Sequence, residues 1–305
     1  MRDRSHAGGA AQRAVDPMKF GVAFANIGPF AGPKEGALLA QAAESAGFES
    51  IWTVDHVVVP AGYQSRYPYD PSGRIGPEDS AFPDPLIWLA YVAHATSTLR
   101  LGTGILIVPQ RNPVVLANEL ATLDHLSGGR VVLGAGVGWL REEFEALGVP
   151  FEGREQRTEE AIEAMRALWT GERASFEGAT TSFRDCFLRP QPANGSIPVH
   201  IGGHSEAAAR RAGRVGNGYF PYGVDRGEVP RLLDLVRQSA QESGRDPSSI
   251  EVTMDSSVTT GEEAVADVEA LRSLGASRVL VPSVLFGADP APSLQRYGQE
   301  VINRF

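Results

Sequence analysis

The sequence predicts a closed (β/α)8 barrel, an α/β fold of the TIM-barrel class. Three observations predict it. Apolar strand-like runs alternate strictly with amphipathic helix-like runs, eight of each, from Lys19 to Phe305, which is the pattern of a parallel sheet. A count of eight suits closure better than an open doubly wound sheet. An open dinucleotide-binding sheet would also carry its glycine fingerprint after the first strand. Here the densest glycine pattern follows the fourth strand instead.

The elements follow in order. Lys19–Ile27 is the first strand candidate, and Glu35–Ala46 has apolar residues at helical spacing with Gly47 as its C-cap. Ser50–His56 is the second strand and Pro85–Thr96 its helix. Arg100–Pro109 is the third, followed by a helix from Pro113 to about Leu126 that starts on proline. Val131–Leu133 opens the fourth strand, glycine then occupies alternate positions at Gly134, Gly136 and Gly138, and the main helix is Glu155–Trp169. Alternate glycines at a strand end mark a bulge or the close approach of a ligand or another backbone. Ile197–Gly203 and Ser205–Val215 form the fifth unit, Gly218–Gly223 and Glu228–Glu242 the sixth. Glu251–Val258 with Glu262–Leu274, and Arg278–Val284 with Ser293–Phe305, complete the eight.

Two segments exceed ordinary connections. Residues 57–84 follow the second strand and carry Tyr63, Tyr67 and Tyr69 among prolines and glycines. In a barrel such a loop lies on the functional face, so it is expected to be a lid or substrate wall. Residues 170–195 precede the fifth strand and read as a small extra hairpin or irregular excursion. No linker divides the chain, so 18–305 is expected to be one domain with these two insertions. Residues 1–17 look like a disordered leader or an overlong start ahead of Met18; they lack the apolar region of a secretory signal.

Composition narrows the function classes. A net charge of −9 argues against nucleic-acid binding. Cys186 is the only cysteine, which excludes an internal disulfide and a cysteine-based metal site. No apolar run reaches the ~18 residues of a membrane span. A cytoplasmic protein acting on a small molecule, with neither metal nor membrane partner, is expected.

The strand C-termini are where a barrel keeps its chemistry. The second strand ends in Asp55-His56, a candidate proton-transfer histidine beside a carboxylate that could orient it. The third reads Leu101-Gly-Thr-Gly-Ile105, a glycine pattern that suggests a kink or bulge. The fifth ends in Gly202-Gly203-His204-Ser205 and runs into a helix. A glycine turn at a helix N-terminus offers free N–H groups and the positive dipole end to a phosphate, although plain N-capping by Ser205 reads equally well. His94 and His125 fall in helical runs and read as surface or core residues; His200, within the fifth strand, is open. Glu142 and Glu143, adjacent on a helix, read as a solvated face. HExxH, Walker A and G-x-S-x-G patterns are all missing.

Placed in order, these stretches resemble the bacterial luciferase-like flavin and deazaflavin oxidoreductases, in particular the coenzyme F-420-dependent branch of actinobacteria. The resemblance runs from about Lys19 to the end of the chain. It rests on Ser50-Ile-Trp-Thr-Val-Asp-His56, Arg66-Tyr-Pro-Tyr69, Leu101-Gly-Thr-Gly-Ile105 and Arg111-Asn-Pro113. It continues through Ala121-Thr-Leu-Asp-His-Leu-Ser-Gly-Gly-Arg130, Gly136-Val-Gly-Trp-Leu-Arg-Glu-Glu-Phe144 and Gly202-Gly203. It implies a ring system across the C-terminal mouth of the barrel, backed by a non-proline cis peptide at Gly104-Ile105. The cofactor phosphate would meet Val137-Gly138 and Gly202-Gly203, with His204 and Ser205 beside them. Asp55 and His56 would lie at the ring and the reacting substrate.

One departure is informative. A sugar-phosphate dehydrogenase branch places a catalytic glutamate directly after the fourth-strand glycines, where this chain has Trp139. An indole cannot exchange that proton, so an aromatic wall for an apolar or planar substrate is expected, together with Tyr63, Tyr67 and Tyr69. His204 stands where a small polar residue is expected. The activity implied is hydride transfer between coenzyme F-420 and a small organic substrate bearing an activated C=C, C=N or C=O. The alternatives are an FMN-dependent monooxygenase and a non-catalytic flavin-binding accessory protein on the same scaffold. A homodimer is expected.

Overall fold

A computed structural model describes residues 17–305; the expected leader lies outside the described residues except for Pro17. The strands are β1 (Lys19–Ala23), β2 (Ser50–Thr53), β3 (Arg100–Thr103), β4 (Leu106–Ile107), β5 (Val131–Gly136), β6 (Ala174–Glu177), β7 (Ser182–Cys186), β8 (Val199–Gly202), β9 (Gly218–Phe220), β10 (Glu251–Asp255) and β11 (Arg278–Pro282). β3 and β4 are the two halves of the expected third strand. The peptide bond between Gly104 and Ile105, at the break between them, is cis.

The barrel runs β1-β2-β3-β5-β8-β9-β10-β11 and back to β1, every pairing parallel. β3 closes the ring on β5 by pairing Leu101 with Val131 and Gly102 with Val132, and β4 adds Leu106 to Ala135. Each strand is short and rich in buried apolar residues, as expected where both faces are covered. The expected excursion is an antiparallel β6–β7 hairpin.

The outer helices are α1 (Pro33–Ser45), α2 (Pro85–Ala95), α3 (Pro113–Ser127), α4 (Arg141–Ala146), α5 (Arg154–Leu168), α6 (Glu206–Val215), α7 (Val229–Glu242), α8 (Gly261–Ser273) and α9 (Ala291–Glu300). Local chemistry sets their ends. Asp84 accepts from the N–H of Leu86 and Ile87, and Asn112 from those of Val114 and Val115, so α2 and α3 both start as a side-chain cap followed by proline. α3 stops at Gly128, whose φ of 71° is the left-handed cap conformation. The expected closing helix is shorter than read: α9 ends at Glu300 and a 3-10 turn follows.

The main core lies between barrel and helices. Inside the barrel, Trp52 packs with Ala23, Val132, Phe220 and Leu280. Room for its indole comes from Gly102, where an added Cβ would fall 2.4 Å from the ring. At the N-terminal ends of the strands, the Arg278 guanidinium, fully buried, bonds to Glu49 (3.0 Å) and Glu251 (3.0 Å). Its Cζ lies 5.5 Å from the Trp52 ring centroid. A polar floor therefore plugs one end of the barrel and Trp52 fills the middle, which leaves the other end for a ligand.

Candidate functional site

All eight barrel strands deliver residues from their C-terminal ends to one cavity of about 410 Å³, within the usual range for small-molecule sites. Phe24, Asp55, His56, Gly104, Ile105, Gly136, Val137, Gly138, Trp139, Gly202, Gly203, His204, Ser205, Tyr222 and Asp255 line it. Every site residue expected from sequence is among the lining residues except Tyr63.

One end is aromatic. His56 meets the edges of Phe82 (5.2 Å) and Trp139 (5.8 Å), and Trp139 meets Tyr67 (5.2 Å). Tyr69 packs on Tyr67, His204 and Tyr222 at 5.1–5.3 Å. This chain of rings carries the 57–84 loop across the mouth, from the end of β2 to the segments after β8 and β9. The loop is also tied down by polar contacts. Tyr67 N–H donates to Gly73 O (2.9 Å), and Arg74 bonds to Tyr63 O (2.7 Å) and Glu78. Burial raises the hydroxyl pKa of Tyr69 and pushes that of Tyr222 up to about 12, so these phenols are neutral donors.

Tyr63 is the correction. It is buried behind Trp139 (5.6 Å) and does not line the cavity. Its hydroxyl accepts from Ile75 N–H (3.1 Å), and the Arg74 guanidinium stacks 4.0 Å from its ring centroid. It therefore braces the loop.

The paired carboxylates are a second correction. Glu143 is fully buried. Its Oε2 meets His56 Nδ1 at 3.0 Å, and its Oε1 accepts from Val57 N–H (2.7 Å). Glu142 faces the other way and accepts from the N–H groups of Gln64 (2.7 Å) and Ser65 (3.1 Å). That geometry holds the Glu142 carboxyl near a pKa of about 2, the backbone and Ser65 contacts outweighing a desolvation that pushes it up. Neither residue is a bystander: α4 clamps the loop at two points and fixes the His56 ring. With a carboxylate on Nδ1, the ring is oriented with Nε2 as its remaining edge.

Asp55 does not partner His56. Its Oδ2 accepts from Ile107 N–H (2.8 Å) and its Oδ1 from Arg111 (3.0 Å), which also reaches Asp84. Burial raises the Asp55 pKa while Arg111 opposes the rise. The carboxylate thus fastens β4 and its kink to the end of β2.

Part of the lining is glycine-rich and basic. An added Cβ at Gly134 would fall 1.8 Å from Thr103 O, and Cβ atoms at Gly136 and Gly202 would fall 2.3 and 2.4 Å from the Ile105 side chain. The first two alternate glycines therefore admit the kinked third strand rather than a ligand. Gly138, with φ of 79°, turns the chain beyond β5, and its carbonyl accepts from Arg154 Nε (3.1 Å). Across from it, Ser205 caps α6 by accepting from Ala208 N–H (3.1 Å). The N-cap reading holds, since the Ser205 hydroxyl is spent on the cap, and the residues of the turn also line the cavity beside the first turn of α6. Arg154 and Arg211 complete this part of the lining. Arg211 is buried against Glu159 (3.1 Å) and Glu155 (3.5 Å). Neither arginine was singled out in the sequence.

Among the described residues no group of three or more His, Cys, Asp or Glu side chains could hold a metal, and no helix is long and apolar enough to cross a membrane.

Comparison with known proteins gives the family and the fold. Residues 17–301 match the model of the luciferase-like monooxygenase family. An F-420-dependent glucose-6-phosphate dehydrogenase of Kineococcus radiotolerans is 32% identical over 263 residues, 84% of this chain and 72% of that one. Among solved structures, a monooxygenase from Streptomyces bottropensis superposes with a TM-score of 0.77 at 23% identity, over 94% of this chain and 99% of its own. The coenzyme F-420-dependent tetrahydromethanopterin reductase from Methanopyrus kandleri gives 0.75 at 21%, over 95% and 99%. At these identities the two structural likenesses speak for the fold.

Proposed function

The chain belongs to the luciferase-like monooxygenase family, and on that premise we propose that it is a coenzyme F-420-dependent oxidoreductase. The substrate is a small organic molecule reduced at an activated C=C, C=N or C=O. The observation that carries the proposal is His56, oriented by the buried Glu143 and lining the same cavity as the glycine turns, the α6 N-terminus and Arg154. The similarity to an F-420-dependent dehydrogenase over most of both chains supports the cofactor class.

The residues fit such a cofactor. A flat ring has a floor at Gly104-Ile105, and a phosphate has Gly138, Gly203, the α6 N-terminus and Arg154. When bound, the deazaflavin supplies the hydride. His56 holds or delivers the matching proton, most directly at Nε2 because Nδ1 faces Glu143. Asp55 is a positioning residue that fixes the kinked strand under the ring. Trp139, Tyr67 and Tyr69 exclude water and offer a planar, apolar surface to the substrate.

Anaerobic turnover tests this reading. Reduced coenzyme F-420 is mixed with a panel of enones, cyclic imines and ketones, and the return of deazaflavin absorbance is followed. Oxidation of the coenzyme above the uncatalysed rate by at least one class supports it. Oxygen-dependent turnover with FMN, and none with the deazaflavin in either direction, would establish the monooxygenase alternative instead.

A homodimer is the assembly we infer. Ile87 and Tyr91 on α2, Val115 on α3 and Leu38 on α1 are exposed apolar side chains on three helices that pack side by side, the kind of surface that marks an interface. Light scattering should give twice the chain mass, and Ile87→Asp should lower it to that of one chain. We place the protein in the cytoplasm, in keeping with its lone free cysteine.

A further inference from the structure

Asp255, the last residue of β10, lines the main cavity without a cation of its own. The other two lining carboxylates are each paired: Asp55 meets Arg111 at 3.0 Å and Glu155 meets Arg211 at 3.5 Å. Among the described residues Asp255 forms no ion pair. Arg226, whose charge reaches it, is itself paired with Asp267 (2.7 Å), which also accepts from Ser256 Oγ (2.7 Å). Burial raises the Asp255 pKa, the Gly223 N–H and the Arg226 charge oppose the rise, and the Asp267 charge adds to it. A half-buried carboxylate with no counter-ion is costly, and a phosphate-bearing cofactor in the same cavity adds like charge.

The surroundings of this carboxylate are aromatic. Burial and then the Asp255 charge push the Tyr222 hydroxyl up to about 12, so the two side chains act on each other. The Tyr222 ring packs edge to face with Tyr69 (5.3 Å) and Phe24 (5.7 Å), and all three line the cavity. Phe24, one residue past β1, has a φ of 55°, a conformation that a bulky side chain holds only where its surroundings enforce it, and one that recurs at ligand clamps. Ser283 Oγ donates to its carbonyl (2.8 Å). Charge also divides the lining around the ring of strands. Arg154 follows β5 and Arg211 follows β8, whereas Asp255 ends β10, two strands further on.

We propose that Asp255, Tyr222, Phe24 and Tyr69 bind a positively charged nitrogen, so that the substrate is an organic cation, an amine or quaternary ammonium compound. Its role as substrate rests on the deazaflavin reading above. A carboxylate and aromatic π-faces share one preference, since both attract positive charge, and rings of this kind are the usual box for an alkylammonium group. A cationic ligand supplies the counter-ion that Asp255 lacks and balances the negative charge of the cofactor. A neutral ligand does neither.

The test is a calorimetric titration of the full chain, with and without coenzyme F-420, using choline and its neutral carbon analogue 3,3-dimethylbutan-1-ol. The two probes share size and shape and differ in charge. The wild type should bind choline about tenfold more tightly than the alcohol. Asp255→Asn keeps the shape and an acceptor for Gly223 N–H, and should abolish most of that preference. Tyr222→Phe should retain it, and Tyr222→Leu should lower it about threefold; these two variants carry the test should Asp255→Asn not fold. Equal binding of both probes to the wild type would overturn the cation site and leave the deazaflavin reading intact. A preference that survives both Asp255→Asn and Tyr222→Leu would overturn it equally. A preference lost in Asp255→Asn, with no binding of coenzyme F-420 in the same titrations, would support the cation site and sink the cofactor reading.

Discussion

Two buried histidines each face a glutamate, at opposite ends of the same barrel. At the mouth, His56 Nδ1 lies 3.0 Å from Glu143, and the ring lines the cavity. At the floor, His200 Nε2 lies 3.6 Å from Glu251, but that glutamate is already held by Arg278 (3.0 Å) and Lys19. Desolvation, with the Arg278 charge adding to it, lowers the His200 pKa to about 3, so the ring is neutral. Residue type, burial and partner are alike; only the strand end differs. In a barrel the C-terminal ends open onto ligand and the N-terminal ends onto the plug. A histidine–carboxylate pair is therefore evidence of chemistry only where a cavity meets it.

The largest expected effect separates the pairs by activity. His56→Ala should lower turnover about 10²- to 10⁴-fold, the usual worth of a positioned proton donor or acceptor, while cofactor affinity changes little; steady-state kinetics beside a binding titration reads both. Unchanged turnover would make the mouth pair structural like the floor pair. Arg278→Met should show the reverse: a loss of about 3–5 kcal/mol in stability, because Glu49 and Glu251 lose their buried partner, with the activity of the folded fraction retained. Denaturant melts and activity on the same samples distinguish the two losses.

The pH dependence gives a smaller, signed effect. His200 stays neutral in the fold, with a pKa of about 3, whereas the unfolded chain takes up a proton below its ordinary value near 6.5. Its contribution is therefore intact above pH 6.5 and is lost as the pH falls from there toward 3. The slope approaches about 1.4 kcal/mol per pH unit, or about 2 kcal/mol by pH 5. His200→Asn should flatten the stability profile between pH 6.5 and 5; Glu251, with its pKa of about 2 against an ordinary 4.5, acts only below that window. An unflattened profile would assign the acid sensitivity to another group. The smallest effect is at Tyr63. Tyr63→Phe removes the acceptor of Ile75 N–H and should cost about 1 kcal/mol without altering substrate preference, whereas Trp139→Ala should raise KM for planar substrates.

The barrel was legible because strand and helix periods differ and alternate without interruption, and because caps such as Asn112-Pro113 and Gly128 announce their helix ends. The sites at strand ends followed from that placement. Glu143 was misread although the reasoning began correctly: adjacent residues on a helix point apart, so one of the two must face inward. The signal was present in Leu140, Glu143, Phe144 and Leu147, whose spacing puts Glu143 on the apolar face. The glycines of β5 could not be resolved the same way, since their reason is Thr103 O and the Ile105 side chain, some thirty residues earlier in the chain. The floor cluster was equally invisible, because Lys19, Glu49, Glu251 and Arg278 meet only when the ring closes.

The central claim is that the mouth of this barrel is a deazaflavin site with His56 at its reacting end. The most direct test is a titration of the wild type and His56→Ala with coenzyme F-420 and with FMN, read by cofactor fluorescence. The account predicts tight, similar binding of coenzyme F-420 to both proteins and much weaker binding of FMN. Tight FMN binding with little affinity for the deazaflavin would contradict it.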